Sequence, residues 1–387
     1  MVNRRSFLVG SGAVVCGSLL AGCSGGGNAA FSVRLLNQSL PRQLINQFRS
    51  QVAQGKAVSF SPDSDIETIF EYLETWQQAA TEDSSQEDSP FRLPFIGQQP
   101  PNPASLVSLG DVWLKAAIAQ NLIQPLNLDT LEQWANLPPR WQTLVRRNQQ
   151  GFLDDTGPIW GAPYRWGTTM IVYNQKALKK LDWFPQDWED LWDERLRDRI
   201  SVVNQPREII GLTLKKLGYS YNQANLNEIP NLQQELNTLA QNIKFANSKT
   251  YLQPLILKDT WVAVGWSSDI LPILDNYPQL KAFVPPSGTA LWSDVWVKPA
   301  IAENTTPLPE DWINFCWQEK SALTISLFTD GIAPRLTLPP PHTLPQDIQN
   351  QPLKFPDPEI LEKSEFLYPL SPTPQTEYTQ HWQAMFS

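Results

Sequence analysis

The sequence predicts an α/β protein of two lobes, each built on an open sheet, and three observations carry that prediction. Short apolar runs alternate with stretches of helical periodicity, separated by turns rich in Gly, Ser, Asp and Pro. Several of these read as strand, turn and helix in succession, the pattern of open sheets whose ligands gather beyond the carboxyl ends of the strands. The chain has 387 residues, room for two domains at about 100 to 200 residues each. With no evident internal repeat, the two lobes are expected to share architecture and not sequence.

The N-terminus reads as an export address. Arg4 and Arg5 precede an apolar run from Val9 to Leu20, and Leu20-Ala21-Gly22-Cys23 places small residues ahead of a cysteine. The pattern resembles a bacterial twin-arginine signal peptide ending in a lipobox. The run is too short and too rich in Gly and Ser for a bilayer span, which needs about 20 apolar residues. Residues 1–22 are therefore expected to be removed, Cys23 to carry lipid, and 23–30, with three consecutive glycines, to form a flexible tether.

The body follows in order. Val33–Leu36 is a predicted strand, and Pro41 opens a helix with Leu44, Ile45, Phe48 and Val52 on one face. Ser64 and Glu67 have the spacing of a capping box, followed by the stripe Ile66, Ile69, Phe70, Leu73 and Trp76. Thr81 to Pro103, acidic and then proline-rich, is expected to be an exposed loop. Ser105–Leu109 is a buried strand, with Asp111 as N-cap of a helix over Val112–Gln120. Ile200–Val203 is a strand, Pro206 opens the next helix, and Gly218 ends it. Trp261–Trp266 is a strand followed by a cap at Ser267-Ser268-Asp269 and the apolar face Ile270, Leu271 and Leu274.

Composition excludes several functions. Loss of residues 1–22 would move the formal charge from −9 to −11, because two cationic residues leave and every acidic one stays. An acidic body has no basic face for nucleic acid and is compatible with a cationic ligand. Cys316 is left as the one cysteine of the body and reads as a buried, inert thiol, so no internal disulfide is possible in the mature monomer. His342 and His381 lack metal-site or triad spacing, and the glycines form no nucleotide cradle; no cofactor or metal is expected. Sixteen tryptophans are enough for a core and for the aromatic walls of a cleft.

Three blocks carry a family resemblance: Pro185-Gln186-Asp187-Trp188-Glu189-Asp190-Leu191-Trp192, Ile200 to Glu208, and Leu214 to Asn222. They resemble the second lobe of the polyamine-binding proteins that serve spermidine/putrescine ABC importers. Gly161 to Thr169 and Leu291 to Asp294 are similar to two further stretches of that family, each beside a crossing between lobes. The likeness covers most of residues 31–335. It implies a two-lobed periplasmic-binding-protein fold of type II, two open α/β sheets joined by a multi-strand hinge, with crossings near Thr168–Met170 and Trp292–Asp294. On this basis one lobe takes 31–168 and 295–338, the other 169–294 and 339–387.

The resemblance also implies roles. Glu208 and Asp294 match carboxylates that meet ligand amines, and Trp266 and Trp292 match aromatic walls. The chemistry is coherent, since acidic oxygens receive charged N–H donors while flat rings cover methylenes and attract the cationic ends. The chain departs from the family at Leu35-Leu36-Asn37-Gln38-Ser39, which lacks the aromatics, at Gly110-Asp111-Val112, and at Gln205. Asp111, Trp160, Tyr164 and Asp269 are expected to compensate from turns and strand ends facing the cleft. The implied ligand is a small cationic solute, and a shorter diamine, a modified polyamine, a compound with one cationic end, or something unrelated all remain open. The expected partners are ABC permease subunits, with a membrane contact through the lipid alone and a monomeric state. A glycosidase built on Glu208 and Asp294 lacks any accompanying signature, and a tethered scaffold that has lost ligand binding is the other reading.

Overall fold

Eleven strands join in one sheet in the computed structural model, which describes residues 30–85, 101–303, 305–337 and 344–386. In chain order they are β1 (Phe31–Leu36), β2 (Val58–Asp63), β3 (Leu106–Gly110), β4 (Ile123–Gln124), β5 (Ala162–Asn174), β6 (Ile200–Val202), β7 (Ile243–Ala246), β8 (Val262–Trp266), β9 (Leu280–Phe283), β10 (Ala290–Pro299) and β11 (Glu365–Phe366). The main path runs β2-β1-β3-β10-β5-β8-β6-β7, with β4 and β11 on β10 and β9 on β5. Parallel pairs β1–β2, β1–β3, β6–β8 and β6–β7 stand at the two ends, and the long antiparallel strands β5 and β10 join them.

Two hydrophobic cores lie on either side of that join. On β5, Tyr164 and Trp166 belong to the first core and Met170 and Ile171 to the second. The first half of β5 pairs with β10 and the second with β8 and β9, so one strand serves both lobes. On β10 the change falls between Ala290 and Leu291, a little before the expected Trp292–Asp294. The register explains this: Leu291 stands opposite Thr168, which puts both crossings at one level of the sheet. The tail is shared, with Leu344, Ile348 and Phe366 in the first core and Leu367, Tyr378 and Met385 in the second, whereas the sequence assigned 339–387 to one lobe.

Local sequence explains most elements. Leu44 and Phe48 bury one face of the helix Arg42–Phe48, and Phe48 meets Trp312 edge-on with centroids 4.9 Å apart. Trp296 stacks on Tyr164 at 4.2 Å and meets Trp312 edge-on, so much of the tryptophan stock is core, each such side chain contributing on the order of 2 to 3 kcal/mol of burial. Gly218, at φ +81, ends the helix Pro206–Lys216 in the left-handed conformation that glycine adopts without strain. Cys316 is buried in the helix Leu308–Trp317, and burial pushes its thiol well above its ordinary pKa.

Four expectations are corrected. The helix Ile66–Ser85 is capped by Asp65, which receives the Thr68 N–H at 2.9 Å, so the cap falls one residue after Ser64. That helix runs on through Thr81–Ser85, because its apolar stripe continues to Trp76 and no breaker follows; 86–100 lie outside the described residues. Asp111 caps nothing: Gly110 is the N-cap of a single tight turn, Asp111–Trp113, before the helix Leu114–Ala119. Ser267–Asp269 form the first turn of the helix Ser267–Leu274 rather than a cap before it. The export segment with Cys23, and His342, also fall outside the described residues.

Candidate functional site

The middle of β5 gathers most of the residues that the sequence singled out. Thr169 stands opposite Trp266 at the end of β8, Gly167 opposite Trp292, and Arg165 opposite Asp294 on β10. Gly167 has to lack a side chain there, since a Cβ would lie 2.3 Å from the Trp292 ring and 2.3 Å from Ser267 Oγ. Trp292 lies in neither core and is partly exposed. It covers the strip of backbone between the lobes.

Glu208 enters from the first turn of the helix Pro206–Lys216, whose N-terminus follows β6. The dipole of that turn favours a carboxylate. Its oxygens are held apart by two donors: Trp266 Nε1–H reaches Oε1 at 3.0 Å, and the Thr169 hydroxyl reaches Oε2 at 2.9 Å. The side chain is 5% exposed. Burial raises its pKa above the ordinary value, against the pull of Trp266, Thr169 and Arg207. An arriving ammonium would restore the charge that burial opposes.

The other carboxylate is already paired. Asp294 Oδ2 accepts from Arg165 Nε at 2.5 Å, with both side chains 4% exposed, and the guanidinium carbon lies 5.5 Å from the centroid of the Trp292 ring. Burial works against the charged guanidinium, yet the charge and hydrogen bond of Asp294 offset it and Arg165 stays protonated. Asp294 is thus engaged by the chain's own cation.

The remaining candidates separate. Asp269 is partly exposed in the first turn after β8, accepts from the Tyr251 hydroxyl at 3.1 Å, and has its pKa raised mainly by burial. Tyr251 in turn accepts the Trp266 N–H, so this pair fixes the end of β8, where Trp266 reaches Glu208. Asp111 is buried, and one oxygen takes the Ser293 N–H at 2.8 Å while the other has no partner among the described residues. Trp160 and Tyr164 are core residues: Trp160 donates to the Arg147 carbonyl, and Tyr164 stacks on Trp296 with its hydroxyl on Ser108. The expectation that these two face the cleft is corrected, because Trp160, just before β5, and Tyr164, near its start, are both buried in the first core.

Sequence reasoning missed Arg165, Thr169, Tyr251 and Ser267. Arg165 carried a usable signal: a lone arginine inside Ala162–Trp166, otherwise apolar and strand-like, requires a buried carboxylate, and Asp294 sits in an equally apolar strand. No metal-binding group of His, Cys, Asp and Glu occurs among the described residues. A surface cavity of about 350 Å³ lined by Glu74, Gln77 and Gln120 shares no residue with this cluster.

Comparison with known proteins agrees with this architecture. Residues 102–364 match the family described as bacterial extracellular solute-binding protein. A putrescine/cadaverine-binding protein of Pseudomonas aeruginosa is 34% identical over 127 residues, 31% of this chain and 36% of that protein, so the match spans about a third of that relative's length. The spermidine/putrescine-binding periplasmic protein of Salmonella typhimurium is 24% identical over 331 residues, 84% of this chain and 83% of that one. A solved spermidine/putrescine ABC transporter substrate-binding protein from Streptococcus pneumoniae superposes with a TM-score of 0.71 at 20% identity, covering 92% of this chain and 98% of that one. At that identity the likeness shows the fold, the two-lobed periplasmic-binding-protein fold expected from the sequence. With a match over more than half of its length, the chain belongs to the bacterial extracellular solute-binding protein family.

Proposed function

We propose that this protein is the solute receptor of an ABC importer, capturing a small cationic amine between its lobes and delivering it to permease subunits. The observation that carries the reading is Glu208, a buried carboxylate held by Trp266 and Thr169 on β5, two positions from the Gly167 backbone that Trp292 covers. A carboxylate with a flat indole beside it, and a second indole further along the strand, suits an ammonium whose methylenes lie against the rings. The names of the relatives, which describe polyamine-binding proteins, point the same way.

In this reading the lobes exchange at Gly167–Thr169, at Ala290–Leu291 and at Phe366–Leu367, and binding selects the closed form by contacts from both sides. No reaction is performed on the ligand. The chain works as a monomer on the outer face of a bacterial cytoplasmic membrane, exported by the twin-arginine route and held by lipid on Cys23. A thermal-shift panel of putrescine, spermidine, amino acids and sugars tests the reading. Amines should stabilise the protein by RT ln(1 + [L]/Kd), about 2.7 kcal/mol at a hundredfold excess over Kd. A response to sugars alone contradicts it.

A further inference from the structure

Arg165 makes the two ends of the candidate cleft unequal. Its guanidinium holds Asp294 through Nε at 2.5 Å and lies 5.5 Å from the centre of the Trp292 ring. A carboxylate with an adjoining aromatic face is what a ligand ammonium would seek, and here a side chain of the protein fills it. The arginine is built in: it is 4% exposed, stands directly opposite Asp294 in the β5–β10 register, and its stem packs against the backbone at Gly331, where a Cβ would come within 3.2 Å of Cδ. The pairing engages Nε alone, and neither terminal nitrogen donates a hydrogen bond among the described residues. Beside it, Trp292 Nε1 is a buried polar atom with no partner among the described residues. Glu208, the other carboxylate, has only neutral hydrogen-bond donors on its oxygens.

We propose that Arg165 takes the place of one ligand ammonium, so that the cleft selects solutes with a single ammonium, seated at Glu208, and a neutral hydrogen-bond acceptor at the far end. This rests on the amine-binding reading above. A second ammonium would meet the like charge of Arg165 and find Asp294 already paired. A carboxylate at that end is disfavoured as well, since it would lie beside Asp294, which already neutralises Arg165. An amide or hydroxyl oxygen, by contrast, can accept from the terminal nitrogens of Arg165 without adding charge.

Calorimetric titration of the full-length protein with N-acetylputrescine, putrescine and 4-aminobutanoate tests the proposal. N-acetylputrescine should bind at least tenfold more tightly than either of the others. Arg165→Met frees Asp294, so the order of N-acetylputrescine and putrescine should invert. The double variant Arg165→Met with Asp294→Asn leaves no lone buried carboxylate; it should fold even if the single variant does not, and putrescine should remain the weaker ligand. Putrescine binding to the unaltered protein as tightly as N-acetylputrescine overturns the proposal and leaves the amine reading standing. Tightest binding of 4-aminobutanoate also overturns it, and absence of binding by every amine overturns both.

Discussion

Arg165 Nε lies 2.5 Å from Asp294 Oδ2, between directly opposed positions of β5 and β10, and each side chain is 4% exposed. Two charges this far from water stabilise the fold only while both are present. Arg165→Met alone should lower the unfolding free energy by about 3 to 5 kcal/mol, because it strands a buried carboxylate. Adding Asp294→Asn should recover part of that loss, which a urea-denaturation cycle of the two singles and the double would measure. Strictly additive losses would mean that the two groups do not depend on each other.

Gly167 carries a different constraint, the close seat of Trp292 on its backbone. Gly167→Ala would place a methyl 2.3 Å from the indole and 2.3 Å from Ser267 Oγ, so the ring has to move. We expect a loss of about 1 to 3 kcal/mol, typical of overpacking, together with weaker ligand binding. Gly218→Ala serves as control: it meets no atom within 4 Å, and although φ +81 makes it somewhat strained, binding should be unaffected. Equal effects of both variants on binding would remove Trp292 from the cleft.

Asp111 should make stability depend on pH. Burial pushes its carboxyl up to about 7, while the Ser293 N–H and Arg147 pull it down and Asp294 adds to the rise. A carboxyl raised on folding holds its proton more tightly in the folded state. Its stabilising contribution is therefore complete below the ordinary carboxylate range and is lost as pH rises through about 7. Glu208 and Asp269 shift in the same direction. The melting temperature should fall between about pH 5 and pH 8, and Asp111→Asn should flatten the slope by raising the melting temperature at the alkaline end. An unchanged slope in the variant would assign the dependence to other groups.

The anchor is testable without reference to the cleft. Cys23→Ser should release the protein from the membrane fraction, since acyl chains contribute about 0.8 kcal/mol for each buried methylene. Arg4→Lys with Arg5→Lys should block export by the twin-arginine route. Unchanged membrane retention of Cys23→Ser, together with no lipid mass on the N-terminal peptide of the unaltered protein, would refute the lipobox.

The strands β3, β6 and β8 were legible because each is a short buried run followed by a turn residue and helical periodicity. The helix cap at Asp65 was read one residue early because Ser64 and Asp65 are both good caps and only the tertiary path chooses between them. Trp160 and Tyr164 show the limit at the site. Spacing placed them near a strand end, but whether that end meets the cleft or the core depends on how far β10 extends beside it. Arg165 and Asp294 are 129 positions apart, and nothing local in either strand states that the two complementary charges belong to each other.

The most direct test of the account is the affinity of the unaltered protein for a monoamine compared with that of Glu208→Gln. Glutamine keeps the shape and an acceptor for Trp266 Nε1–H while removing the charge. By calorimetry the variant should bind more weakly by about 1.5 to 3 kcal/mol, roughly ten- to a hundredfold, with the unliganded melting temperature unchanged or higher. Equal affinity in the two proteins would contradict the central claim that Glu208 seats the ligand's ammonium.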